Sequence, residues 1–440
     1  MSLTEFNRVN GVPCDCGKEH FVPVKIYSGR HALAKLIPEI EGYKAEKVFL
    51  LADEITYKVA GERVKTMLES AGIVCICSIL DECSEPDEKS VGSAIMHYDA
   101  SCDLIVAVGS GVVNDIGKIV ATTANKPYII VGTAPSMDGY ASASSSMIRD
   151  GLKISLPSKS ADVIIGDNEI LATAPDKMLA AGLGDMLAKY VSICEWRISN
   201  LITGEYYCES IASLVRKSLK KCIDNRDGLL LREDAALESV FEGLVTCGAA
   251  MAFAGISRPA SGVEHNFSHM WDMRSVEFGT AMDLHGIQCA IGTFYSIKAY
   301  HALKKKIPNR ERALASVADF DFDKWSEELR AFLGKSAEAM IALEGKERKY
   351  DKAKHAARLE IILDKWDEML AIIDEEIPSL EEYEAILDSI KAPKTLPEIG
   401  IDPATLPMAL KCSKDIRDKY ILPKLLWDLG MLDELCEEIF

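Results

Sequence analysis

Leu104-Ile105-Val106-Ala107-Val108-Gly109-Ser110-Gly111-Val112-Val113-Asn114-Asp115-Ile116-Gly117-Lys118-Ile119-Val120 is the stretch on which the fold turns. Five apolar residues in a row, rich in β-branched side chains, fit a strand buried on both faces. After the glycines, the apolar positions 112, 113, 116, 119 and 120 fall at helical spacing. A strand, a glycine turn and a helix start therefore follow one another directly. The first N–H groups of such a helix lack intrahelical partners and lie at the positive end of its dipole, which suits a pyrophosphate. Asn114 holds the place of the third glycine of G-x-G-x-x-G, so the motif is partial, and a purely structural glycine turn reads the same way.

The alternation continues outward on both sides. Short apolar runs occur at 24–27, 47–52, 73–79, 103–109, 128–132 and 163–166, with helical patterns between them, as at 54–71 and 85–99. This pattern predicts an α/β domain with a parallel sheet and right-handed crossovers, its ligands at the carboxyl ends of the strands. Near Ala172-Thr173-Ala174-Pro175 the character changes. Thr173 and Pro175 form a helix-start signal, and helical periodicity alone follows, amphipathic and charged at 323–333 and 336–374. The expected organisation is an α/β domain over 1–172 and an all-helical domain over 173–440.

Composition narrows the class. The 440 residues are 48% hydrophobic and 27% charged, with a net charge of −18 that argues against nucleic-acid binding. No run reaches the roughly 20 apolar residues of a membrane span. The nearest, 244–256, is rich in Gly and Ala and reads as a tightly packed core helix. The start, MSLTEFNRVNG, has no signal-peptide pattern, and 13 scattered cysteines fit a reducing compartment. A cytoplasmic protein is expected.

Several residues carry chemistry. Asp53 closes the second run, where a carboxylate can accept hydrogen bonds from a ribose or can cap the next helix. Thr133-Ala134-Pro135-Ser136-Met137-Asp138-Gly139-Tyr140-Ala141-Ser142 follows another strand and suits either a cofactor loop or an ordinary turn. Asp185 follows Gly182 and Gly184 in a helical pattern, and helical glycines imply a close approach to the backbone. Three of the eight histidines, His265, His269 and His285, fall within 21 residues. The four-residue spacing of His265 and His269 favours that pair as ligands on one helical face, and two histidines with one carboxylate make a divalent-metal site. Satisfied core histidines would look the same. Cys14, Cys16 and His20 form a second cluster without a fourth ligand nearby in sequence.

Taken in order, these motifs resemble one family. They are Gly109-Ser110-Gly111-x-x-Asn114-Asp115, Thr133-x-x-Ser136-x-Asp138-Gly139-x-x-Ser142, Gly182-x-Gly184-Asp185, Ser261-Gly262-x-Glu264-His265-x-x-Ser268-His269-x-x-Asp272 and His285-Gly286-x-Gln288. Over roughly residues 25–300 the chain is similar to the sn-glycerol-1-phosphate dehydrogenases, including the AraM type. That group lies within the iron-containing alcohol dehydrogenase, glycerol dehydrogenase and dehydroquinate synthase superfamily.

The resemblance implies a Rossmann-like domain, a helical domain and an active site in the cleft between them. It implies reversible NAD- or NADP-linked conversion of dihydroxyacetone phosphate to sn-glycerol 1-phosphate, a step of phospholipid biosynthesis. Asp185, His265 and His285 would hold one divalent metal, with zinc first and nickel or iron as alternatives. That ligand set displaces the pair favoured by spacing. His269 and Asp138 would act on substrate. Asp53, Gly109, Ser110, Gly111, Val112, Val113, Thr133, Ala134, Pro135, Ser136 and Ser142 would line the dinucleotide site. A homodimer or higher homo-oligomer is implied as well. A non-phosphorylated polyol dehydrogenase and a dehydroquinate-synthase-like lyase are the alternatives. Three positions depart from the family pattern: Ser110 replaces a usual glycine, Pro135 an alanine, and Ile287 a glutamate that bears on the orientation of His285. Lys153, Lys189 and Arg258 are candidate partners for the substrate phosphate.

Overall fold

A computed structural model describes residues 3–81 and 85–440, with the side chains of residues 3 and 4 excepted. The six predicted runs form one parallel sheet: β1 (Lys25–Gly29), β2 (Lys47–Asp53), β3 (Val74–Leu80), β4 (Leu104–Gly109), β5 (Tyr128–Gly132) and β6 (Val163–Asp167). Their order across the sheet is β1-β6-β5-β4-β2-β3. Every residue of β4, β5 and β6 is buried, as a central parallel strand requires, whereas the edge strand β3 mixes exposed, half-buried and buried positions. Among the described residues no strand follows Asp167, so the change of character at 172 marks the end of the sheet region. Thr173 turns its hydroxyl back to the Ile170 carbonyl at 2.7 Å rather than capping the helix Asp176–Leu187.

Two short pairings were not foreseen. Ser144–Arg149 and Leu152–Pro157 form an antiparallel hairpin joined by Asp150 and Gly151, both at positive φ (55° and 72°). An Asp-Gly pair between two runs is a direct hairpin signal, masked here by three serines that weaken the first strand's apolar alternation. Val12–Pro13 pairs with Glu19–His20 near the start of the chain.

The polypeptide divides into two compact units, 1–186 with 210–257 and 187–209 with 258–440. In the first, the helix Asp234–Ala254 includes most of the apolar run at 244–256 and behaves as the core helix expected there. It is long and apolar enough to cross a membrane by length and composition, yet 78% of its most apolar window is buried in the fold. Phe241 of this helix fills space left by two adjacent strands. A Cβ on Gly166 would lie 2.2 Å from its ring, and one on Gly132 would lie 3.0 Å away. The second unit is built from helices, His285–Leu303 among them.

Candidate active site

In the first unit, three neighbouring strands end together. Gly109 of β4 pairs with Gly132 of β5, and Ala52, next to the end of β2, pairs with Val108. Asp53, the 109–113 turn and the 133–142 loop therefore leave the same edge of the sheet, the carboxyl edge where ligands of such sheets bind. Gly109 is required by packing: a Cβ there would lie 2.4 Å from that of Val113. Ser110 has φ −107°, which any residue adopts, so its replacement of a glycine costs nothing conformationally. Asp53 accepts the Thr56 N–H at 2.7 Å while its own N–H donates to Thr56 Oγ1 at 3.1 Å. Of its two possible roles, the helix cap is the one this geometry displays.

The 133–142 loop is tied down from inside. Lys118 is fully buried and donates to the Gly139 carbonyl and to Ser142 Oγ, both at 3.1 Å, while pairing with Asp115 at 2.9 Å. Asn114, where the glycine motif expected a third glycine, donates to the same carbonyl at 3.2 Å. Sequence reading overlooked Lys118; its signal was a lone cation three residues after Asp115 in an apolar helix. The expected close approach at the helical glycines is present at Gly182, where a Cβ would sit 1.7 Å from the Pro135 carbonyl oxygen. Asp185, on the same helix and fully buried, accepts the backbone N–H of Asp138 at 2.9 Å.

In the second unit, the helices Val263–Phe278 and His285–Leu303 bring His265 and His285 together, with ring centroids 5.1 Å apart. His269 stacks on His285 at 6.0 Å. The donor atoms of His265, His285 and Cys289 lie within 4.8 Å of one another. His265 Nδ1 lies 2.8 Å from Glu264 Oε1, and His285 Nδ1 lies 2.9 Å from Ser268 Oγ. Gln288 Nε2 donates to Ser268 Oγ at 3.0 Å and to Asp272 Oδ1 at 2.8 Å. With protons on both Nδ1 atoms, each ring keeps Nε2 as a lone-pair donor, the arrangement that metal-binding histidines use. These residues fit a divalent cation. Ile287 is buried, and the support that a glutamate there would give is supplied by Ser268, Gln288 and Asp272. Cys289 was overlooked as a neighbour, although its four-residue spacing from His285 on the helix His285–Leu303 puts its Sγ 3.5 Å from His285 Nε2. Burial alone would raise its thiol; the imidazoles of His265 and His285 bring it below the ordinary value.

Glu264→Gln keeps the size but gives up the charge on the His265 anchor. We expect metal affinity to fall about 10- to 100-fold with little change in fold, measured by titrating the chelator-stripped protein with a divalent metal.

Behind this pair lies a second carboxylate. Glu195 accepts the N–H groups of Val263 at 2.9 Å and Leu422 at 2.8 Å. A Cβ on Gly262 would meet Glu195 Oε2 at 2.5 Å and Glu264 Oε2 at 2.6 Å, which is why the motif carries glycine there. Burial, reinforced by Glu264, pushes the Glu195 carboxyl up to about 8. Between its ordinary value and that raised one, the folded state holds a proton that the unfolded chain has released, so stability falls as pH rises. Burial lowers Lys419 to about 7, and its opposing effect begins only above that pH. From about pH 5 to about pH 7 we expect unfolding free energy to decline by at most about 1 kcal/mol per pH unit through Glu195. Denaturant titrations of Glu195→Gln should show a flatter profile over this interval.

Arg258 is buried and donates to both oxygens of Glu205 at 2.9 and 2.6 Å, to Ser199 and to the Tyr420 carbonyl. Lys189, also buried, donates to the Ala260 carbonyl at 3.0 Å. Lys153 lies half-buried on the hairpin strand Leu152–Pro157.

Comparison with known proteins places this architecture. A family profile described as iron-containing alcohol dehydrogenase matches residues 27–175. The glycerol-1-phosphate dehydrogenase, NAD(P)+, of Halalkalibacterium halodurans is 33% identical over 305 residues, covering 67% of this chain and 75% of that protein. The chain belongs to the glycerol-1-phosphate dehydrogenase family. The Bacillus licheniformis member is 33% identical over 296 residues, covering 66% of this chain and 74% of its own. The fold is shared more widely. The iron-containing alcohol dehydrogenase of Thermococcus thioreducens superposes with a TM-score of 0.62 at 14% identity, covering 95% of this chain and 98% of that one.

Proposed function

We propose that the chain catalyses reversible NAD(P)H-linked reduction of dihydroxyacetone phosphate to sn-glycerol 1-phosphate, with Asp185, His265 and His285 holding one divalent metal. The observation that carries this reading is the pair of imidazoles whose Nδ1 atoms are anchored by Glu264 and by the Ser268–Gln288–Asp272 chain. Membership of the family supplies the substrate class.

A bound divalent cation supplies Lewis-acid polarisation of the substrate oxygen, and bound NAD(P)H supplies the hydride. The remaining work falls to the chain. The 109–113 turn offers unpaired N–H groups to the pyrophosphate; Thr133, Ala134, Pro135, Ser136 and Ser142 shape the loop beside it, and Asp53 receives the ribose hydroxyls. Asp138 orients the substrate. His269 delivers a proton from its imidazole to the oxygen at C2, as a general acid. Zinc is the metal we assign, since two imidazoles and a carboxylate with room for substrate form a zinc-type catalytic set, and nickel and iron fit the same donors. We also assign a homo-oligomeric state.

The test is oxidation of NADH or NADPH in the presence of dihydroxyacetone phosphate, before and after chelation and metal return. Turnover should require both phosphate and metal. Consumption with dihydroxyacetone but none with its phosphate would point to a polyol dehydrogenase. No nicotinamide consumption at all would overturn the assignment.

A further inference from the structure

We propose that Cys14, Cys16 and His20 form a binding site for a zinc-class divalent cation, separate from the catalytic metal. The segment that carries the first three ligands folds back on itself. Gly11 N–H donates to the His20 carbonyl at 2.7 Å, Cys14 N–H to the Lys18 carbonyl at 3.1 Å, and Gly17 N–H to the Cys14 carbonyl at 2.9 Å. Gly17 closes the turn at φ +81°, a conformation that glycine adopts readily. The donor atoms of Cys14, Cys16 and His20 lie within 4.8 Å of one another. Cys16 Sγ stands 3.3 Å from His20 Nε2. Zinc–sulfur bonds of about 2.3 Å and zinc–nitrogen bonds of about 2.0 Å in a tetrahedron place such atoms roughly 3.5 Å apart.

His20 is fully buried, and its Nδ1 lies 3.3 Å from the Phe253 carbonyl. A proton on Nδ1 satisfies that carbonyl and leaves the Nε2 lone pair facing the thiol. The ring is thereby fixed in the tautomer a metal needs. Cys14 Sγ donates to Ser210 Oγ at 3.3 Å, and Ser210 lies in the first turn of the helix Glu209–Asp224. Two thiols and one imidazole are donors that zinc takes in its tetrahedral sites. A hairpin of two-residue strands has little core of its own, and a cation at its tip would brace it.

The test uses the full-length purified protein. After washing with a weak chelator, the wild type should retain one more equivalent of zinc per chain than Cys14→Ser/Cys16→Ser, and the cobalt-substituted wild type should show thiolate-to-cobalt charge-transfer absorption that the double variant lacks. Reduction of dihydroxyacetone phosphate should change less than twofold, because none of these residues lies in the proposed catalytic machinery, so this result stands apart from the functional assignment. Should the variants fail to fold, alkylation of the wild type decides: zinc should protect Cys14 and Cys16, while half-buried Cys75 and Cys77 react alike with and without it. Equal metal content in wild type and double variant, or equal labelling of Cys14 and Cys16 with and without zinc, would overturn the proposal.

Discussion

His265→Ala is expected to lose at least about a thousandfold in kcat/KM for dihydroxyacetone phosphate and to lose the catalytic metal, while its unfolding midpoint stays near that of the wild type. Lewis-acid stabilisation of the developing charge is worth several kcal/mol, and each 1.36 kcal/mol is tenfold in rate. About 4 kcal/mol therefore sets the scale of the loss. The stability cost is small by comparison, since Glu264 Oε1 keeps its hydrogen bond from the Gly262 N–H at 2.6 Å after the imidazole is gone. Asp185→Asn should give a loss of the same order, because an amide keeps the shape of the carboxylate and removes its charge. Steady-state kinetics together with metal analysis checks both variants. Full activity in a metal-stripped variant would remove the metal from the mechanism.

Gly182→Ala should destabilise the first unit by about 3 kcal/mol or more. In an exposed helix the same change stabilises by nearly 1 kcal/mol, so the expected sign is reversed by packing. The added Cβ would stand 1.7 Å from the Pro135 carbonyl oxygen and 3.1 Å from Val240. The near neighbour is backbone, which cannot rotate away as a side chain would, and overpacking against it sits at the severe end of core substitutions. Pro135 belongs to the proposed dinucleotide loop, so whatever displacement relieves the clash should also raise KM for NAD(P)H. Denaturant unfolding followed by kinetics on the folded fraction separates the two effects. A variant as stable as the wild type would show that the helix is free to move off the loop.

Much of the sheet was legible because buried parallel strands have little choice of residue. The runs ending at Ala52, Gly109 and Gly132 are apolar on both faces, and their ends carry the turns that the site needs. The motif around His265 was equally readable, since a histidine anchored by the residue before it and followed by Ser268, His269 and Asp272 is a local pattern. What escaped reading was set by tertiary contact. Glu195 lies 69 residues before Glu264 in sequence, and only folding brings both carboxylates over Gly262. Cys289 is the exception, since its four-residue spacing from His285 on one helix could have been read directly. Lys118 looks like a surface lysine in sequence, yet it is an interior ammonium that sets the shape of a loop more than twenty residues away. Spacing alone favoured His269 over His285 as the partner of His265, because sequence distance says nothing about a helix that returns to the same place.

The bond that orients the Asp185 carboxylate comes from the main chain of Asp138, not from its side chain. Any residue other than proline supplies the same amide. Changes of side chain at position 138 therefore leave this hydrogen bond available, and the hold on the Asp185 carboxylate is written into the course of the backbone, not into the identity of the residue that supplies it.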